Sequence, residues 1–91
     1  MLLPVKSRKF KKDQEKAKRQ RKDFAQLIEV ISLLLQDKPL PAKYRERPLS
    51  GEWKGYRDCH VENDWVLIYQ IDRQENTLLL QRLGSHSELF G

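Results

Sequence analysis

Two histidines, His60 and His86, are the only imidazoles in the chain, and both have polar neighbours in the sequence that acid–base chemistry at a phosphate would use. Asp64 follows His60 across what reads as a tight turn, near enough to orient the ring or hold its pKa up. Arg82 precedes His86 with Gly84 between them, so a guanidinium and a second imidazole can reach the same neighbourhood. RNA transesterification asks for this set of groups: one takes the 2′-hydroxyl proton, another protonates the leaving 5′-oxygen, and cations stabilise the phosphorane. No metal ion or other cofactor is required.

The same residues have plainer readings. A strand histidine beside a carboxylate also makes an ordinary surface hydrogen bond. Asp64 doubles as a turn former and Asp58 as the partner of a nearby cation, while Arg47, Arg57 and Arg82 could be solvated charges. Trp53 and Trp65 could stack bases or fill core; Tyr56, which shares a strand face with His60, and Phe90, beside the terminus, are the better stacking candidates. Cys59 is the single cysteine and falls by strand parity on the face away from His60, which removes a Cys–His nucleophile, an internal disulfide and a Cys-rich zinc site.

These groups must be carried by a strand hairpin and its neighbours. Trp53 to Val61 and Asp64 to Ile71 read as two strands turning at Glu62 and Asn63, and Thr77 to Leu83 as a third. Alternation puts Lys54, Tyr56, Asp58 and His60 on one face and Trp53, Arg57, Cys59 and Val61 on the other. The apolar run Val66-Leu67-Ile68 predicts a central strand covered on both sides. Gly84, Ser85 and His86 break the last strand, and Ser87 to Phe90 make one helical turn or a docked tail.

The N-terminal part reads differently. Leu2 to Lys6 predicts a short edge strand, where Pro4 is tolerated. Ser7 is a plausible N-cap for a helix to about Gln20, whose only apolar residues are Phe10 and Ala17. From Asp23, another N-cap candidate, Phe24, Leu27, Ile28, Ile31, Leu34 and Leu35 recur at helical spacing and predict the core helix. Lys38, Pro39 and Pro41 end it, and an irregular segment runs on through Pro48 to Gly51. The expected whole is one α+β domain over residues 1–91: two helices on a small twisted, mainly antiparallel sheet in the order β-α-α-β-β-β, with a short C-terminal turn or helix.

A formal net charge of +5 and a pI near 9.5 favour an anionic partner, nucleic acid before acidic protein. Ten Lys and Arg between Lys6 and Lys22, against two acids, point to phosphate contact rather than a merely solvated helix face. The apolar stretches are too short for a signal peptide or a bilayer span, and with one cysteine the expectation is a cytoplasmic protein without membrane contact.

The stretch from Pro48-Leu49-Ser50-Gly51-Glu52-Trp53-Lys54-Gly55-Tyr56-Arg57-Asp58-Cys59-His60-Val61 to Glu62-Asn63-Asp64-Trp65, then Leu67-Ile68-Tyr69 and Arg82-Leu83-Gly84-Ser85-His86-Ser87-Glu88-Leu89-Phe90, resembles the YafQ branch of the RelE superfamily of bacterial toxins. The likeness is close over the C-terminal half and architectural over the N-terminal half. It implies a ribosome-dependent mRNA endonuclease that enters the ribosomal A site, uses the message's own 2′-hydroxyl and leaves cyclic or 3′-phosphate ends. It places His60, Asp64 and His86 in the active site with Asp58 close by. Arg82 becomes a cationic phosphate contact and Phe90 an RNA contact; Arg47, Lys54 and Tyr56 are expected beside them as substrate-binding residues on their own chemistry rather than on the likeness. It also implies a small dimeric antitoxin, of ribbon-helix-helix type, with an acidic disordered segment that folds on the basic surface; operator DNA is bound only through that antitoxin. One departure stands out. The family commonly has a histidine where this chain has Arg47, and an arginine cannot serve as a base near neutral pH, although it can stabilise a pentavalent phosphate. Acid and base duty then falls to His60 and His86, helped by Asp64. The rival expectation is a RelE-like module that keeps RNA, ribosome or antitoxin binding but has lost cleavage.

Overall fold

The computed structural model describes residues 1–91. Strand β1 (Leu3–Lys6) leads through Ser7 into helix α1 (Arg8–Arg19). The Ser7 hydroxyl accepts the Phe10 N–H at 2.9 Å, as an N-cap should, and also donates to the Gln81 carbonyl at 2.7 Å. One side chain thus starts the helix and fastens its start to the sheet. Helix α1 buries only Phe10 and Ala17.

Helix α2 (Ala25–Leu35) opens with Phe24 in the cap position, while the Asp23 carboxylate accepts the Ala25 N–H at 2.9 Å. Its inward residues are Leu27, Val30 and Leu34. Ile28, expected on the core face, is 65% exposed, and Val30 fills the core instead. The helix is rotated because the sheet meets it along the 27–30–34 row, a choice that periodicity alone leaves open.

The remaining strands are β2 (Arg47–Pro48), β3 (Arg57–Glu62), β4 (Trp65–Asp72) and β5 (Thr77–Gly84). They form one five-stranded sheet in the order β1-β5-β4-β3-β2, antiparallel except for β1 beside β5. The two proline-bearing strands lie at the two edges, where a missing N–H leaves no ladder bond unmade. Strand β4 is central and covered on both faces, as its apolar run predicts. Leu67 and Tyr69 join the core under the helices; Val66 and Ile68 pack with Leu89, Leu49, Trp53 and Tyr56 on the opposite face.

Three local expectations are corrected. Pairing of Arg47 with Asp58 and of Pro48 with Arg57 makes a short strand where irregular chain was expected. Strand β3 starts at Arg57 rather than Trp53, since Gly51–Trp53 is a 3-10 turn and Gly55 has φ +93°. Strand parity therefore does not apply to Trp53, whose ring meets Tyr56 edge-on at 5.5 Å on the same side of the sheet. Finally, the hairpin turns at Asn63 and Asp64, one residue later than expected. A bulge between His60 and Glu62 takes up the shift, and Asp64 adopts left-handed φ 51°.

On the face away from the helices, Asp58 is fully buried and its carboxylate receives the Arg47 guanidinium at 3.2 Å. Removing Arg47 strands a buried charge. Arg47→Ala is therefore expected to lower stability by about 2–3 kcal/mol in urea unfolding, and Arg47→Lys by less.

The chain ends in helix α3 (His86–Phe90), N-capped by Ser85 in a reciprocal capping box with Glu88. Lys16 of α1 pairs with Glu88; this contact, with the Ser85 N–H, draws the Glu88 carboxyl from 4.5 to about 2. A depressed carboxylate stabilises the fold above its unfolded value and loses that effect as pH falls through the folded one. The α1–α3 tie is therefore complete above about pH 4.5 and weakens toward pH 2.

Candidate active site

Strand β5 runs beside β4 with Gly84 opposite Val66, so the chain leaves the sheet next to the β3–β4 turn. His86, the first residue of α3, consequently stands over Asp64, and His60 projects from β3 beneath it. Asp64 Oδ1 accepts both the His86 backbone N–H at 3.0 Å and the His86 ring Nδ1–H at 2.9 Å. That double contact fixes the imidazole's position and its tautomer. Its other nitrogen, Nε2, then faces His60 Nε2 at 3.2 Å, with the ring centroids 5.0 Å apart.

The two rings differ electrostatically. Burial pushes the His60 pKa below its ordinary 6.5; the Asp58 carboxylate opposes this, and His86, Arg45 and Arg47 reinforce it. His60 Nδ1 is buried without any partner, so a full charge on this ring would be poorly accommodated. Asp64 is the reverse. The His86 backbone N–H, then its side chain, hold the Asp64 carboxyl below 3.8, which leaves an anion against the His86 ring. The arrangement has one neutral, desolvated imidazole and one backed by a carboxylate, with a hydrogen-bond distance between their free nitrogens.

Both rings and Asp64 open into a cleft of about 720 Å³ lined also by Gln26, Lys43, Tyr44, Arg45 and Glu62. Phe90 stands at its side, 40% exposed, with its ring 6.1 Å from His86. Asp58 is adjacent to His60 in space and in charge but is sealed off from solvent and committed to Arg47. Arg82 is held away on α1, where Asp13 takes its guanidinium at 2.8 and 3.2 Å and also accepts the Leu83 N–H at 2.9 Å. Lys54 and Tyr56 lie outside the cleft. Trp65 is buried in the core, stacked on Phe24 at 5.9 Å.

Sequence reasoning missed Lys43, Arg45 and Gln26. The first two sit on a 3-10 turn, Ala42–Tyr44, and at its left-handed end, inside a segment that carries no periodic signal. Only the density of positive charge there hinted at a role. The donors do not amount to a metal cage: Asp64 is spent on His86, and no group of three His, Cys, Asp or Glu side chains is placed to surround an ion.

A family model described as bacterial toxin of type II toxin–antitoxin system, YafQ, matches residues 3–91. The mRNA interferase toxin YafQ of Escherichia coli K12 is 44% identical over 86 residues, covering 93% of this chain and 91% of that protein. A metal-bound toxin from Helicobacter pylori superposes with a TM-score of 0.93 at 47% identity, over 99% of this chain and 100% of that one. A chain of the E. coli DinJ–YafQ complex gives a TM-score of 0.90 at 41% identity, over 100% of both chains.

Proposed function

The chain belongs to the YafQ family of type II toxins, and on that premise we propose that this mRNA interferase cleaves messages on the ribosome by a metal-independent attack of the RNA 2′-hydroxyl. The observation that carries the reading is the pairing of His60 Nε2 with His86 Nε2 at 3.2 Å at the mouth of one cleft. A neutral His60 takes the 2′-hydroxyl proton while the 2′-oxygen forms its bond to phosphorus. His86, protonated with Asp64 behind it, gives its Nε2 proton to the 5′-oxygen as the phosphorus–oxygen bond breaks. The products are a 2′,3′-cyclic phosphate and a free 5′-hydroxyl, with opening of the ring to a 3′-phosphate by water. Substrate entry separates the two rings, each of which exchanges its partner's nitrogen for an RNA oxygen. Phe90, exposed beside His86, offers a stacking face for a base of the message in the A site.

The test is to map 5′ ends of transcripts after brief induction, with wild type beside His86→Ala. New in-frame ends in wild type only are expected, and identical ends in both strains would defeat the reading. Ribosome binding without new ends would favour the non-cleaving module instead. In a reconstituted assay, a chelator selective for transition metals, with magnesium left in place for the ribosome, is expected to leave the cleavage rate unchanged.

The partner in this reading is a dimeric ribbon-helix-helix antitoxin whose acidic segment folds over the basic surface of α1, and operator DNA is reached through it. Support comes from the exposed Arg8, Lys9, Lys11, Lys12 and Arg19 of that helix and from the DinJ complex of the E. coli relative. Co-expression of the antitoxin is expected to restore growth that the toxin alone arrests.

A further inference from the structure

We propose that Arg45 supplies the cation that receives the scissile phosphodiester in the His60–His86 cleft, an assignment that rests on the endoribonuclease reading above. Attack by the 2′-oxygen adds negative charge to the non-bridging phosphate oxygens, and a cleft that catalyses it needs a free positive group facing them. The arginines beyond α1 and its following turn are otherwise taken: Arg47 by Asp58, Arg57 by Glu46, Arg73 by Asp37 and Arg82 by Asp13. Lys43, the other cation in the cleft, lies over the Tyr44 ring at 5.0 Å. Arg45 has no acidic partner and lines the same cleft as His60, Asp64 and His86. Its charge is felt at His60, where burial is the main force against protonation and Arg45 adds to it.

The backbone gives independent support. Arg45 sits at φ 46°, ψ 50°, a left-handed conformation unfavourable for a long side chain. Neighbouring elements hold it there. Its N–H donates to the Ala42 carbonyl at 3.0 Å, Tyr44 before it is buried with its hydroxyl on Glu29, and β2 begins two residues later at Arg47. Glycine would meet the backbone requirement without strain. The position carries instead a guanidinium, with a planar fork that matches two phosphate oxygens.

The experiment is single-turnover cleavage of a message on programmed ribosomes by wild type, Arg45→Gly, Arg45→Lys and His86→Ala, with ribosome affinity and melting temperature measured for each. Arg45→Gly is expected to melt no lower than wild type, to bind ribosomes, and to cleave about 10²-fold more slowly; lysine restores part of the loss. A single sulfur at a non-bridging position of the scissile phosphate slows wild type and has little further effect on Arg45→Gly. Cleavage by Arg45→Gly within threefold of wild type, while His86→Ala is inactive, overturns the assignment and leaves the endoribonuclease reading intact. A loss confined to ribosome affinity, with the single-turnover rate preserved at saturation, also overturns it, by making Arg45 a docking residue. Failure of wild type itself to cleave removes both.

Discussion

Alanine at His60, alanine at His86 and alanine at both are expected to lower single-turnover message cleavage by nearly the same factor, on the order of 10²–10⁴. Independent contributions would multiply in the double variant. In the proposed reaction the two rings serve the two ends of one phosphoryl transfer, one at the attacking and one at the leaving oxygen, and their free nitrogens lie 3.2 Å apart, so removing either disables the other. Asp64→Asn is expected to cost less than loss of His86, because the amide oxygen can still orient the ring while its charge no longer supports the imidazolium. The pH dependence has a definite sign. Burial lowers the His60 pKa below 6.5, so the base stays neutral under mildly acidic conditions and the acid limb of the rate profile falls below that value. Stability follows the same sign. A histidine with a lowered folded pKa leaves the unfolded chain binding more protons, so stability is complete above about pH 6.5 and declines as pH drops through the folded value. Urea midpoints of wild type and His60→Ala at pH 7.5 and 5.5 check this: the variant should lose less on acidification. A double variant much slower than either single one would show that the imidazoles work separately.

What could be read from sequence divides along physical lines. Strand β4 was legible because its apolar run, Val66-Leu67-Ile68, is short and closely follows the turn signals Asn63 and Asp64, as a strand covered on both faces requires. Ser7 was legible because its hydroxyl before a Gly- and Pro-free basic stretch has an obvious backbone donor to satisfy. His60, Asp64 and His86 were candidates because of residue type and the turn between the first two; their convergence depends on β5 running antiparallel to β4, which local patterns do not specify. The rotation of α2 that exposes Ile28, the pairing of the proline-bearing β2 and the bulge after His60 all arise from sheet contacts distant in sequence. Arg82 shows the same limit from the other side. Its approach to His86 along the chain says nothing of Asp13, far away in α1, which takes its guanidinium. Arg45 was hidden for a further reason: a left-handed arginine at the end of a 3-10 turn obeys no periodicity.

Phe10→Ala is expected to be the most destabilising single substitution in α1, at about 3–5 kcal/mol. A chain of this size has on the order of 5–14 kcal/mol in total, so the variant would be left near the threshold of folding. The reason lies in how little apolar surface α1 commits. Phe10 is fully buried, Ala17 is the only other buried residue of the helix, and the rest of its length is dominated by charge and held out to solvent. With Phe10 gone, the Ser7 cap and the Asp13–Arg82 pair remain, but neither replaces a buried ring as the anchor of a helix that repels itself. The consequence extends to the cleft. Lys16 of α1 holds Glu88 of α3, and Glu88 completes the capping box of the helix that begins at His86. Loosening of α1 should therefore be felt at the imidazole that Asp64 positions. Hydrogen exchange on Phe10→Ala is expected to show faster exchange in α1 and α3 together, with β4 protected until global unfolding. A loss below about 1 kcal/mol, or α3 protection unchanged while α1 opens, would mean that the C-terminal helix is held by the sheet alone and that the basic helix has no part in positioning the site.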